Sequence, residues 1–290
     1  MPNEVSSNQT VSISYYPGCT LRGTAKEFDE STQIVSRIMG IELVEIPDWN
    51  CCGATSAHVT SEYLSFALPA RNMIIAEKMG RDVVVPCAAC FNRLKFAEKE
   101  LLKENHKGMD YKGRIRIMHL LDFLCQDENL ERLKKKIKKR LTGLKAVSYY
   151  GCLISRPPKI TDTKDYENPE DMDKILDTLG VSCPPWSYKT DCCGGSLSFT
   201  RTDISLRLTH KLFEMALEAG AECIVVACPL CHANLDARQG EISVQYKKDY
   251  YLPIFYFTEL MGLALGHDMT SCLRGHLVDP TNLLESKGLL

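Results

Sequence analysis

"DVVVPCAACFNRL" at residues 82 to 94 and "CIVVACPLCHANL" at 223 to 235 read as one short unit written twice. Each opens with a β-branched run too short for a helix, breaks at a cysteine and continues polar-apolar, the pattern of a buried strand entering a helix. Working outward, both copies keep the same company. In each, 34 residues separate the CxxC from an upstream doubled cysteine followed by glycine, "DWNCCGATSAH" (48 to 58) and "KTDCCGGSLSF" (189 to 199). Further upstream, "SISYYPGCTLRG" (12 to 23) pairs with "AVSYYGCLISRP" (146 to 157), so the repeat holds its order.

The strands "SISYY", "IELVEI", "DVVVP" and "RIRIM" alternate with longer amphipathic stretches. Of these, "SEYLSFALPARNMIIAEKMG" (61 to 80) and "DISLRLTHKLFEMALEAG" (203 to 220) are expected to be helices; Gly80 should end the first and Pro69 should kink or split it. The alternation predicts an α/β protein of two pseudo-symmetric domains. Each is expected to be a small, mainly parallel sheet flanked by helices, with the site at the carboxyl ends of the strands. The boundary falls near "LERLKKKIKKRLTGLKAVSYY", where Leu130, Leu133, Ile137 and Leu141 recur at helical spacing under a basic face. The expected domains are 1–143 and 144–290, joined by a solvated helix whose alternative use is as a dock for an acidic partner.

A chain of 290 residues with 44% hydrophobic content can bury a sizeable core, and a formal charge of -2 makes no global case for nucleic acid or an anionic membrane. The start "MPNEVSSNQTVS" has neither a basic nor an apolar signal region, and the longest apolar runs fall short of a membrane span. A cytoplasmic protein without a membrane span is expected.

Ten of the 14 cysteines belong to the repeat: Cys19, Cys51, Cys52, Cys87 and Cys90, then Cys152, Cys192, Cys193, Cys228 and Cys231. Cys125, Cys183, Cys223 and Cys272 stand outside it, Cys223 within the apolar strand "ECIVVA". Disulfides suit neither an odd set nor a reducing compartment, and a CxxC dithiol leaves the doubled cysteines unexplained. Structural zinc takes four ligands, one fewer than each set offers. An iron–sulfur group presents several irons and can accept more than four thiolates, while Gly53, Gly194 and Gly195 allow a tight turn after the paired sulfurs. No ferredoxin run of closely spaced cysteines is present, so electrons would have to arrive from another polypeptide.

These two C-x-CC-x-CxxC sets, each CC followed by glycine, resemble the two-CCG cysteine-rich domain family, and most closely its heterodisulfide reductase B subunits from methanogenic archaea. The ending "HDMTSCLRGHLVDPTNLL" adds to the likeness, which spans nearly the whole chain. The resemblance implies two noncubane 4Fe-4S clusters, one held by Cys19, Cys51, Cys52, Cys87 and Cys90 and the other by Cys152, Cys192, Cys193, Cys228 and Cys231. It further implies reduction of the coenzyme M–coenzyme B heterodisulfide, a small-molecule disulfide, to two thiols. Implied partners are a small ferredoxin-like protein (the C component) as immediate donor, a flavin-containing A component, and a hydrogenase or formate dehydrogenase. Since disulfide reduction takes two electrons, paired one-electron sites would suit it. The family substrate is anionic, which makes Arg22, Arg156, His58 and His232 candidate substrate contacts. Related domains also serve 2-hydroxy acid and succinate/quinone oxidoreductases, and a zinc-stabilised scaffold without catalysis is the non-enzymatic alternative.

Overall fold

The computed structural model describes residues 10–103 and 109–290. Strand β1 (Val11–Tyr15) pairs in parallel with β2 (Ile41–Glu45) and β3 (Val83–Val85), and β3 with β4 (Ile117–His119), giving the order β2-β1-β3-β4. A second parallel sheet runs β5 (Ala146–Tyr149), β6 (Cys223–Val226), β7 (Ile254–Tyr256). Where the first sheet has β2, the second has a single parallel bridge between Lys145 and Ser182. β3 and β6 are buried along their whole length, which is why both read as unbroken apolar runs. The expected α/β architecture of two pseudo-symmetric parallel-sheet units is the one observed.

Helices α1 (Lys26–Met39), α2 (Glu62–Met79) and α3 (Ala88–Leu101) cover the first sheet; α4 (Asp127–Lys136) follows it. In the second unit α5 (Asp171–Leu179), α6 (Thr202–Glu218), α7 (Pro229–Ala237) and α8 (Phe257–Ala264) play corresponding parts. α2 begins where Ser61 accepts a hydrogen bond from the Leu64 N–H at 3.2 Å and ends at Gly80 in the left-handed region, φ 66°.

Tertiary contacts alter two expectations, the split at Pro69 and the length of the basic helix. Pro69 does not split α2, which runs continuously through it. A proline lacks the N–H that would bond the carbonyl four residues back. That carbonyl belongs to Ser65, and the Arg93 guanidinium of α3 donates to it instead. The basic connector is also shorter than its pattern: α4 stops at Lys136, because the N–H groups of Lys138 and Lys139 turn to the Ala264 carbonyl (2.9 and 3.0 Å) and that of Leu141 to Leu179 (2.8 Å). Ile137 and Leu141 pack as core, but in an extended segment rather than on the helix.

The units are bound through α1 and α8. Phe28 stacks on Tyr256 with ring centroids 4.2 Å apart and planes 3° from parallel, and Ser31 and Thr258 share a buried hydroxyl hydrogen bond of 2.7 Å. Full burial of Phe28, Tyr256 and Phe257 makes this seam core rather than a loose contact.

Candidate functional site

Each five-cysteine set gathers beyond the carboxyl end of its sheet, where β1, β3, β5 and β6 release the chain. Cys87 and Cys228 are the residues from which α3 and α7 start, still in extended conformation, while Cys90 and Cys231 lie one turn inside. Strand-then-helix geometry therefore brings both sulfurs of a CxxC to one helix amino terminus, where unpaired N–H groups favour negative charge.

In the first set the Cys19 and Cys51 sulfurs are 3.7 Å apart and those of Cys52 and Cys90 3.2 Å apart. The Gly53 N–H points at the Cys51 sulfur from 3.4 Å. Behind the loop, Tyr16 donates to the Asn50 carbonyl at 2.7 Å, and Asn72 closes a two-way bond with the same residue, accepting from its N–H at 2.9 Å and donating to its carbonyl at 2.8 Å. Gly18 has φ 70°, and a Cβ there would stand 2.9 Å from the Cys90 sulfur. A side chain is excluded on both counts.

The second set repeats these devices. Tyr149 donates to the Asp191 carbonyl at 2.6 Å, and the Gly194 N–H faces the Cys192 sulfur at 3.3 Å. Gly151 has φ 67° and would place a Cβ 2.8 Å from the Cys231 sulfur. Asn234 takes the Asn72 role by a different route, donating to the Cys193 carbonyl at 2.9 Å and to Thr209 at 3.1 Å. Cys152 lies near enough to Cys192, and Cys231 to Cys193 and Cys228, that their thiols shift one another's titration.

Crowded thiols cannot all ionise alike. Cys52 is pushed down to about 3 by hydrogen bonds from Cys51 and Cys90, whose own thiols are driven up by donating to it and by burial. Cys192 falls to about 6, chiefly through the bond from Cys152, which rises in exchange. Tyr16 and Tyr149 are held protonated, first by burial and then by the thiolates around them.

The two sets lie against each other. Tyr256, whose ring stacks on Phe28 of the first unit and on His232 beside Cys231, feels the charge of both Cys228 and Cys87. Asn92 of α3 donates across the same seam to the carbonyls of Leu153 (3.1 Å) and Arg156 (2.9 Å). All 14 cysteines are unbridged, and among the described residues no group of three or more His, Cys, Asp or Glu closes around a single metal ion. What is assembled is two sets of neighbouring sulfurs, each with a backbone N–H aimed at one of them.

The other sequence candidates scatter. Arg22 forms ion pairs with Asp29 (2.6 Å) and Glu45, while Arg156 donates to Thr190 at 2.9 Å, two residues before Cys192. His58 is exposed on the turn Ala57–Thr60. His232 is buried, its Nε2 on the Ile254 carbonyl at 3.0 Å and its ring stacked on Tyr256 at 4.2 Å. Outside the sets, Cys223 is wholly buried at the start of β6, as its apolar context indicated. Sequence reading passed over Tyr16 and Tyr149, although each stands three residues before the first cysteine of its set in the quoted repeat. It also missed Arg93 and Asn234, which have no shared chemistry to mark them.

Residues 13–95 and 146–236 each match the family described as CCG, cysteine-rich domain. The chain is 32% identical over 281 residues to the 8-methylmenaquinol:fumarate reductase membrane anchor subunit of Wolinella succinogenes, covering 93% of this chain and 98% of that one. It is 29% identical over 268 residues to the B subunit of the ferredoxin:CoB-CoM heterodisulfide reductase of Methanosarcina mazei, covering 88% and 89% respectively. A hypothetical protein from Helicobacter pylori of known structure shares the fold, with a TM-score of 0.72 at 14% identity; the match covers 95% of this chain and 55% of that one. Among the described residues no helix is long and apolar enough to cross a membrane.

Proposed function

The chain belongs to the CCG cysteine-rich domain family, and from that premise we propose that it is the catalytic iron–sulfur subunit of an oxidoreductase that reduces the coenzyme M–coenzyme B heterodisulfide to two thiols. Cys19, Cys51, Cys52, Cys87 and Cys90 hold one noncubane 4Fe-4S cluster and Cys152, Cys192, Cys193, Cys228 and Cys231 the other. The observation that carries the reading is the presence of two complete five-thiol sets beside one seam, across which Asn92, two residues after Cys90, donates to the carbonyl of Leu153, next to Cys152. Clusters of this kind supply one electron each, and cleaving a disulfide takes two.

The protein's own part is placement. Tyr16 and Tyr149 fix the doubled-cysteine loops through the carbonyls of Asn50 and Asp191. Gly53 and Gly194 aim N–H dipoles at sulfur, lowering the cost of accumulated negative charge. Burial of Cys52, Cys87, Cys90, Cys193, Cys228 and Cys231 keeps water from most of the sulfurs, while Cys19 and Cys192 mark the open side from which a substrate would enter. Arg22, Arg156 and His58 are proposed substrate contacts; His232, buried and stacked on Tyr256, acts through packing. Electrons come from the small ferredoxin-like C component, itself served by a flavin-containing A component and a hydrogenase or formate dehydrogenase. The units 1–143 and 144–290 carry one cluster each.

The test is iron and acid-labile sulfide analysis, followed by heterodisulfide turnover with a reduced viologen. Zinc without sulfide would overturn the iron–sulfur reading. Both clusters without heterodisulfide turnover would favour a second reading, an electron-carrying subunit of a quinol:fumarate reductase. The 32% identity to such a protein over nearly its full length supports that alternative.

A further inference from the structure

Residues 132 to 145, where the units join, hold eight lysines and arginines and no carboxylate. The other 276 residues have 27 Lys and Arg against 37 Asp and Glu, a balance of -10. One short stretch is therefore a positive pole on an otherwise acidic protein. Lys135, Lys136, Lys138, Lys139, Arg140 and Lys145 form no ion pair among the described residues, and all but Lys139 are exposed. Two neighbouring carboxylates, Glu131 and Glu222, are engaged instead by Lys134 and Lys287, at 2.8 and 2.6 Å.

The fold fixes where this charge stands. The N–H groups of Lys138 and Lys139 bond to Ala264, the last residue of α8. A Cβ at Gly180, just after α5, would meet Arg140 Nε at 3.0 Å, and one at Gly266, just after α8, would meet Lys138 Cδ at 2.9 Å. Lys134, Lys135 and Lys136 occupy the last turn of α4, and Lys145 directly precedes β5. The cations thus gather at three helix carboxyl ends and one strand start. In parallel α/β units that is the pole opposite the strand carboxyl ends, where the cysteines lie. β5 and α8, each about 12 Å long or slightly more, separate the two poles. Helix dipoles account for part of the charge only, since each carboxyl end offers about half a unit of negative charge.

We infer that this basic pole is a docking surface for anionic lipid headgroups, which holds the protein reversibly on a membrane with its sulfur sites turned away. Charge complementarity names the occupant. Five of the six unpaired cations are lysines, a residue depleted from protein–protein interfaces, where arginine and aromatic anchors are enriched. None of the exposed large hydrophobic residues falls within 132 to 145, so a protein partner would find no apolar anchor there. A lysine cluster instead attracts a charged bilayer through its field, within about one Debye length, and needs no groove. Attachment at this pole leaves Cys19 and Cys192, on the opposite side, open to solvent. It requires no membrane-crossing helix and does not depend on which chemistry the sulfurs serve.

The full chain, reconstituted with iron and sulfide, is sedimented with phosphatidylcholine vesicles containing about one third phosphatidylserine, and with phosphatidylcholine alone. It should pellet with the first and not the second, and raising salt from about 50 to about 500 mM should release it. Lys135→Gln, Lys136→Gln and Lys145→Gln combined should weaken binding on the order of a hundredfold, each cation near such a surface being worth about fivefold. Lys159→Gln, Lys164→Gln and Lys247→Gln combined remove the same charge from exposed positions elsewhere and should weaken it far less. In the unaltered protein, bound vesicles should shield Lys135, Lys136 and Lys138 from acetylation and leave Lys159, Lys164 and Lys247 reactive, a readout that decides the matter if a triple variant fails to fold. Equal pelleting with neutral vesicles, equal losses in the two triple variants, or shielding only outside residues 132 to 145 would defeat the docking surface. Binding to soluble polyglutamate but not to vesicles would also defeat it, and would give the pole to an acidic protein.

Discussion

The two units agree most closely where they touch sulfur and least where they touch each other. Gly18 and Gly151 leave room for the second CxxC sulfur to within 0.1 Å of the same clearance, 2.9 against 2.8 Å, and Tyr16 and Tyr149 make the same bond to the same loop position. Behind the sites the correspondence is exchanged rather than kept. In the first unit Phe91 follows the CxxC and meets His119, the last residue of β4, edge-on at 5.7 Å. In the second, His232 follows the CxxC and stacks on Tyr256, the last residue of β7. Imidazole and carbocyclic ring have traded places. The duplication has thus been held to one pattern by metal-binding chemistry and released where two non-identical surfaces had to pack.

The largest effect should come from breaking that equivalence at the sulfurs. Cys52→Ser and Cys193→Ser should each abolish heterodisulfide turnover, although each leaves one complete set; full activity in either variant would show that its site only supports the fold. Next, Phe28→Ala removes the ring that joins the units and should cost about 3–5 kcal/mol in denaturant unfolding. A loss near zero would mean that the seam contributes little and the halves are held elsewhere.

Acid provides a third probe. Burial holds His119 neutral and lowers it to about 4; its Nδ1 accepts from the Leu121 N–H at 3.1 Å while its Nε2 donates to the Pro86 carbonyl at 2.9 Å. A histidine with a depressed folded pKa contributes fully above its ordinary value of about 6.5, and that contribution is lost as pH falls toward the folded value. Between those limits the native state should lose on the order of 3 kcal/mol from this residue, and His119→Asn should flatten that part of the stability profile. An unchanged slope would place the acid sensitivity elsewhere. The smallest effect should come from Gly18→Ala and Gly151→Ala, each destabilising the apoprotein by more than about 1 kcal/mol through the strained positive φ. Matching losses in melting experiments would confirm that the two turns are equivalent, and unequal ones would break the comparison at its best-matched point.

Much of this was legible in the sequence because it is local or periodic. Parallel strands, the helix closed by Gly80 and the recurrence of cysteines at strand ends all follow from short windows and spacing. Continuity of α2 through Pro69 was not legible, since its remedy arrives from Arg93, 24 positions later and on another helix. The early end of α4 depends on carbonyls at Leu179 and Ala264, which no window around Lys136 contains. Facing of the sites is likewise a product of the Phe28–Tyr256 and Ser31–Thr258 contacts between remote segments. Tyr16 and Tyr149 are a different kind of omission, because they were in view and read only as strand residues.

One contact across the seam bears on how such a protein could be taken apart. Asn92 lends its amide to the Leu153 and Arg156 carbonyls, so the loop that carries Cys152 of the second sulfur set is held by a residue encoded in the first half of the gene. Two polypeptides cut near residue 143 would therefore be complementing fragments rather than independent modules. Metal loading of the second fragment should follow the concentration of the first, turning cofactor insertion into a report on assembly.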